Sequence, residues 1–355
     1  MGNRAMYNAG YPLFVLAPIF YFFGKNLLAA RLANLILGLV SIVLCYFVAR
    51  EAGAGRIGRL LAAAFWALYL PACLYVVYLF KENLMIPLML GIMWCALRLS
   101  RKEDFKTAVL CGILFGLIAM VGNAAFALTG AVALALLILQ ASFSQRVKLL
   151  SVMLIAAVIV AMPWVIRNYL VVGAPILNTN GGFNLYLGNN PVANGWFVSI
   201  ADTPRGPTWE SLRKRGEVAA SEVLKQEAIA WIKANPAAFA FLAIKKAVYF
   251  WTPPVHKLDV ATGMERIVRM SWLVQYVLIV AVAFLSLFLK SLRTNRQIII
   301  LWVGVLGYTA IHMLFYVIFR YRLPIMPIVA VISAMTIEAY VISYLKRSVL
   351  YESVL

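Results

Sequence analysis

Apolar residues come in long blocks along this chain, separated by short polar loops and one long polar segment. Nine blocks are long enough to read as spanning helices: Leu27–Ala49, Leu60–Tyr78, Leu84–Leu99, Phe105–Val121, Ala124–Gln140, Val147–Leu170, Ile267–Leu289, Gln297–Ile318 and Leu323–Leu345. A span takes about 20 residues at roughly 1.5 Å rise each, so the third and fourth blocks are short for the task. Between the sixth and seventh blocks lies the polar segment Val171–Arg266, which has two textures. Asn178–Gly195, rich in Gly and Asn, reads as an irregular loop with several turns. Glu217–Ala234 reads as a soluble helix with Leu224, Ala228, Trp231 and Ile232 on one face. Asn235-Pro236 breaks it and starts a second helix, Ala237–Trp251, which carries Lys245 and Lys246 and ends in Tyr249, Phe250 and Trp251. That helix suits the membrane interface. Tyr11–Phe23 is apolar but too short to span, has no signal-peptide flanks, and reads as a second interfacial helix.

Composition agrees with this pattern. Of 355 residues, 64% are hydrophobic and 13% charged. Soluble domains run nearer 45–50% and about 25%, so an ordinary cytosolic protein, a disordered chain and a secreted disulfide scaffold are excluded. The net charge of +19 would suit nucleic acid, were it not for where the cations fall. One set of short loops holds Arg50, Arg56, Arg59, Arg98, Arg101, Lys102, Lys106, Arg146, Lys148, Lys290, Arg293, Arg296, Lys346 and Arg347, which makes 14. The opposite short loops hold Lys81, Arg320 and Arg322, which makes 3. By the positive-inside rule the first set is cytoplasmic, the C-terminus is inside, and the long polar segment is extracytoplasmic. The chain thus divides into 1–26 (interfacial), 27–170 (six spans), 171–266 (external loop), 267–345 (three spans) and 346–355 (cytoplasmic tail). The fold class expected is an all-α polytopic protein of the bacterial inner membrane, with no nucleic-acid partner. An external start with no helix before it predicts a further segment upstream.

Charge near lipid is costly and asks for a reason. Three polar groups gather at the external end: Lys81-Glu82-Asn83, Arg167-Asn168, and Arg320-Tyr321-Arg322 followed by Pro324 and Pro327. Clustered Arg and Lys at that depth suit a lipid-linked phosphate, because guanidinium forks bind phosphate oxygens in pairs. Each cation also suits a plain anchor at the headgroups. Glu82 is the one carboxylate at the outer span ends; it can pair with Lys81, or serve as acid, base or orienting group. Glu338, inside the last span, reads as a buried polar contact. His312 and His256 read as structural, and Asp202 and Asp259 have no spacing that singles them out. Cys45, Cys73, Cys95 and Cys111 fall inside spans and read as core. No phosphate-binding loop motif or Cys/His metal spacing occurs, and metal dependence is left open.

The residues themselves add a resemblance. Ala161-Met-Pro-Trp-Val-Ile-Arg-Asn-Tyr169 with Gly173, then Asn180-Gly-Gly-Phe-Asn184 and Gly188-Asn-Asn-Pro191, resemble the family-39-like glycosyltransferases of the C-type membrane superfamily. That group includes protein O-mannosyltransferase-like enzymes and lipid A aminoarabinose transferases. Gly10-Tyr-Pro-Leu-Phe14, Lys81-Glu82 after Leu70-Pro71, and Phe319-Arg-Tyr-Arg-Leu-Pro324 agree in order, so the resemblance covers nearly the whole chain. It implies a transferase moving a sugar from a polyprenyl-phosphate carrier to a lipid, glycan or protein acceptor at the external membrane face. Residue by residue, it implies phosphate binding by Lys81, Arg167, Arg320, Tyr321 and Arg322. It also implies a sugar or acceptor loop with Asn168, Asn180, Asn184, Asn189 and Asn190. Glu82 falls on the family's Lys/Glu position and is the candidate for catalysis. The family's own catalytic aspartate lies in its first external loop; residues before Tyr11 hold no Asp or Glu. Two other readings stand beside this one: a carrier-lipid-binding subunit without turnover, and a transporter or flippase for a lipid-linked anion.

Overall fold

A computed structural model describes residues 5–255 and 258–352. It is an all-helical membrane protein. In chain order the helices are α1 (Pro12–Phe23), α2 (Leu27–Ala52), α3 (Arg56–Ala67), α4 (Leu70–Tyr75), α5 (Glu82–Leu99) and α6 (Phe105–Val121). There follow α7 (Asn123–Ile138), α8 (Phe143–Val172), α9 (Asn180–Gly188), α10 (Trp209–Arg213) and α11 (Glu217–Ala234). The last are α12 (Pro236–Trp251), α13 (Gly263–Leu285), α14 (Lys290–Arg293), α15 (Arg296–Leu314) and α16 (Met326–Glu352), the last preceded by a 3₁₀ segment, Phe319–Ile325. Six helical stretches among the described residues are long and apolar enough to cross a bilayer: α2, α5, α8, α13, α15 and Phe319–Ser343. α6 and α7 are apolar but shorter.

Burial sorts the long helices into a centre and a rim. In α5, 78% of the apolar stretch is buried, and in Phe319–Ser343, 72%; in α8 the share is 11% and in α13, 17%. α5 therefore forms the middle of the bundle, while α8 and α13 turn most of their surface outward, as lipid contact requires.

The second expected span, Leu60–Tyr78, is not one helix. It stops at Ala67, restarts at Leu70 with Pro71 in the first turn, and unwinds after Tyr75. Pro71 fits where the first N–H of a helix has no partner anyway. Freed backbone groups inside a bilayer must find partners within the protein, and polar side chains from neighbouring helices supply them. Gln275 of α13 accepts from Leu70 N–H and donates to the Leu68 carbonyl, both at 2.9 Å. Asn34 of α2 donates to the carbonyls of Val76 and Tyr78, and Asn83 of α5 to those of Tyr75, Tyr78 and Phe80. Three amide side chains thus account for the broken ends.

Four other expectations shift. Ala124–Gln140 begins as a 3₁₀ turn and becomes α-helical only at Thr129–Ile138. The eighth block ends at Leu314, after which Val317 N–H donates to the Gly195 carbonyl at 2.9 Å. The Gly/Asn-rich stretch expected as irregular loop holds a helix, α9, packed on α11. Its glycines serve close approach instead of turns: a Cβ on Gly182 would lie 1.9 Å from the Ser221 carbonyl oxygen, and one on Gly188 2.6 Å from the Phe315 backbone. The break at Asn235-Pro236 falls where the sequence puts it, and α11 and α12 meet there at 107°. The cysteines are free; Cys45, Cys95 and Cys111 are buried, whereas Cys73, expected in the core, is exposed on the short α4. Glu338 is a buried contact: its carboxylate accepts from the N–H groups of Gly55 and Gly58 at 2.7 and 2.9 Å, capping α3 from the last span.

Candidate active site

One cavity of about 290 Å³ collects the polar residues at the end of the bundle where α5 begins. Lys81 and Glu82 enter it from the start of α5, and Tyr308 and His312 from the last turns of α15. Tyr316 and Tyr321 come from the segment after α15, Asn180 and Asn184 from α9, Asn8 from the chain before α1, and Asn123 from the first turn of α7. The cover over it is tied down locally. Asn178 donates to the side-chain oxygens of Asn8 and Asn123, and the Glu217 carboxylate accepts from Ala5 N–H and from the Thr179 hydroxyl.

At the wall of the cavity Glu82 and Arg320 form an ion pair, Nε to Oε1 at 3.1 Å. Glu82 is 3% exposed, and the guanidinium is the partner that offsets the burial of its carboxylate. The guanidinium of Arg320 also lies over the Phe80 ring at 4.4 Å. Lys81 is partly buried; desolvation holds its ammonium below the ordinary lysine pKa, Glu82 opposes that shift and Arg320 adds to it. Tyr321 donates to the Tyr316 hydroxyl at 3.3 Å, and Tyr316 to the Asn184 side-chain oxygen at 3.2 Å. The cavity thus offers one partly desolvated ammonium, a guanidinium fixed by a carboxylate, and a chain of hydroxyl and amide groups. That set can take an anion together with a polyhydroxylated group.

Of the residues singled out in the sequence, Lys81, Glu82, Asn180, Asn184 and Tyr321 line the cavity, and Arg320 joins through Glu82. The others lie elsewhere. Arg167 lies over the Trp164 ring at 4.8 Å and donates to Asn168, whose amide donates to the carbonyls of Ile176 and Leu177. With Trp164 donating to the Leu177 carbonyl at 2.9 Å, this motif clamps the chain entering α9. Asn189 donates to the carbonyls of Leu185 and Leu314 and accepts from Lys246, while Asn190 donates back to the Tyr186 carbonyl; both are buried. Arg322 is 2% exposed, donates to the carbonyls of Phe250 and Thr252, and lies over the rings of Tyr276 and Phe319. It closes the end of α12 instead of facing the cavity.

Sequence reasoning missed Asn8, Asn123 and Tyr316, and it set His312 aside as structural. Tyr316 follows the α15 block closely, and an aromatic run of Tyr316, Phe319 and Tyr321 was the available signal. His256 lies outside the described residues. Asp202 and Asp259 are exposed and do not line the cavity. No group of three metal-ligating side chains occurs among the described residues.

Residues 11–166 match the family model described as dolichyl-phosphate-mannose-protein mannosyltransferase. Comparison with curated proteins gives no match. Among solved structures, the crystal structure of ArnT from Cupriavidus metallidurans in the apo state is similar at 15% identity and a TM-score of 0.40. The match covers 92% of this chain, and this chain spans 66% of the length of that one. The matched residues run from α1 into α8 and include Lys81 and Glu82. Over residues 11–166, then, the chain is similar to the family described as dolichyl-phosphate-mannose-protein mannosyltransferase.

Proposed function

We propose that this protein is an inner-membrane glycosyltransferase that moves a sugar from a polyprenyl-phosphate donor to an acceptor at the extracytoplasmic face. The observation that carries the reading is the pairing of Glu82 with Arg320 beside Lys81 at the cavity. Two cations and one carboxylate leave a net positive charge, which a phosphate at the membrane boundary would offset. The charge count in the loops supports the external placement of this end, with the C-terminus inside.

In this reading Lys81 and Arg320 stabilise the phosphate as it leaves the sugar, where negative charge grows on the bridging oxygen. Glu82 orients Arg320; a guanidinium already fixed loses less freedom when it binds. Tyr321, Tyr316, Asn180 and Asn184 hold the sugar or the acceptor through hydroxyl and amide contacts. Arg322, Asn189 and Asn190 support the site through the backbone of α12 and α9, and Arg167 and Asn168 through the chain leading into α9.

The test is transfer by the purified protein in proteoliposomes, with radiolabelled polyprenyl-phosphate sugars and extracted envelope lipids, glycans or peptides. The reading expects label in an acceptor and a loss of about 10²-fold or more in kcat for Lys81→Met. Tight binding of the carrier with no transfer to any acceptor class would favour a lipid-binding subunit and overturn the enzymatic reading.

A further inference from the structure

His312 lines the same cavity and has no part in the scheme above. Its ring packs among Phe250, Tyr308 and Tyr321, with centroids at 5.0, 4.6 and 5.6 Å. Nδ1 lies 2.8 Å from the backbone carbonyl oxygen of Tyr308, one helical turn earlier. A carbonyl oxygen can only accept, so Nδ1 carries the hydrogen. In the neutral ring Nε2 then holds the lone pair. That tautomer is the one a proton-accepting imidazole needs, and the Tyr308 carbonyl holds both tautomer and orientation.

The other titratable groups at the cavity have tasks of their own. Lys81 has no lone pair while it serves as a cation. Glu82 is held by Arg320. The Tyr308 hydroxyl donates to the Tyr321 carbonyl, and the hydroxyls of Tyr316 and Tyr321 are bonded to each other. Among the described residues that line the cavity, His312 is the neutral nitrogen base.

We propose that His312 is the general base of the transfer, removing the proton of an acceptor hydroxyl at Nε2; the proposal rests on the transferase reading given above. As the acceptor oxygen forms its bond to the sugar C1, the bond from C1 to the phosphate oxygen breaks. Its electron pair stays with the phosphate, beside Lys81 and Arg320. The hydroxyl proton passes to Nε2 and gives an imidazolium. Transfer of that proton to the departing phosphate or to water restores the neutral ring. The acceptor class implied is an alcohol, which lipid, glycan and Ser/Thr acceptors all provide.

His312→Asn is the informative variant, because its amide can still donate to the Tyr308 carbonyl while Nε2 is gone. The proposal expects kcat to fall by about 10²–10³-fold, with the KM for the donor and the Kd for polyprenyl phosphate unchanged within about threefold. It also expects the acid limb of the wild-type pH–rate profile to vanish in the variant, leaving a low, flat rate. Transfer by His312→Asn within about threefold of wild type would overturn the assignment and leave the transferase reading intact. A loss of carrier binding and of melting temperature together with activity would make His312 structural and also overturn it. Carrier binding without transfer by the wild type would instead sink the transferase reading itself.

Discussion

Arg320 and Arg322 leave one short 3₁₀ segment, two residues apart, and end in opposite surroundings. Arg320 keeps 30% of its side chain exposed, pairs with Glu82 at the cavity wall, and lies over Phe80. Arg322 is 2% exposed, binds the backbone carbonyls that end α12, and is sandwiched near Tyr276 and Phe319. Its Nε and Nη2 have no hydrogen-bond partner among the described residues and rest on ring faces instead. One arginine is thus available for exchange with an anion, and the other is spent on the fold. Equal charge at equal depth does not mean equal function; the partners decide.

The largest effect should come from separating these two roles. Arg322→Met leaves the buried Phe250 carbonyl and the part-buried Thr252 carbonyl without their donor and should cost about 2–4 kcal/mol. Thermal unfolding in detergent would read this as a clear drop in Tm. Arg320→Lys keeps a cation beside the buried Glu82, so it should cost well under that and act on carrier binding instead. Equal melting losses for the two variants would erase the distinction. A smaller effect is expected at the other end of the bundle. Glu338→Ala removes the acceptor for two N–H groups at the start of α3 and should destabilise by about 1–2 kcal/mol without changing carrier affinity. A change in affinity there would mean that the far end of α16 reaches the cavity.

The same contrast explains what the sequence could and could not tell. Block lengths and loop charges reveal the bundle, because hydrophobic length answers to bilayer thickness and not to tertiary detail. Lys81, Glu82 and Arg320 were legible because charge at a span end is expensive enough to need a reason. Arg322 looked the same by that criterion, since the Tyr276 ring and the carbonyls of Phe250 and Thr252 that hold it come from α13 and the end of α12, distant in sequence. The break in the second span was hidden for a related cause: Asn34, Asn83 and Gln275 satisfy it from three other helices. The Gly/Asn stretch misled because glycine permits both turns and tight helix contact, and only α11 selects the second. His312 reads as structural in the sequence because an isolated histidine in an apolar block carries no other signal; its place at the cavity comes from the fold.

The central claim is that a lipid-linked phosphate binds beside Lys81, and its Kd against pH tests this most directly. Short-chain polyprenyl phosphate would be titrated into wild type and Lys81→Met in nanodiscs. The account predicts at least about tenfold weaker binding in the variant at neutral pH, the scale of one charge-assisted hydrogen bond. Burial lowers the Lys81 pKa, so the ammonium loses its proton as pH rises before an ordinary lysine would. Wild-type affinity should therefore fall on the alkaline side below the usual lysine range, and bound phosphate, which favours the ammonium, should move that fall upward. Lys81→Met should lack this limb. Equal affinities for the two proteins, with parallel pH curves, would contradict the account.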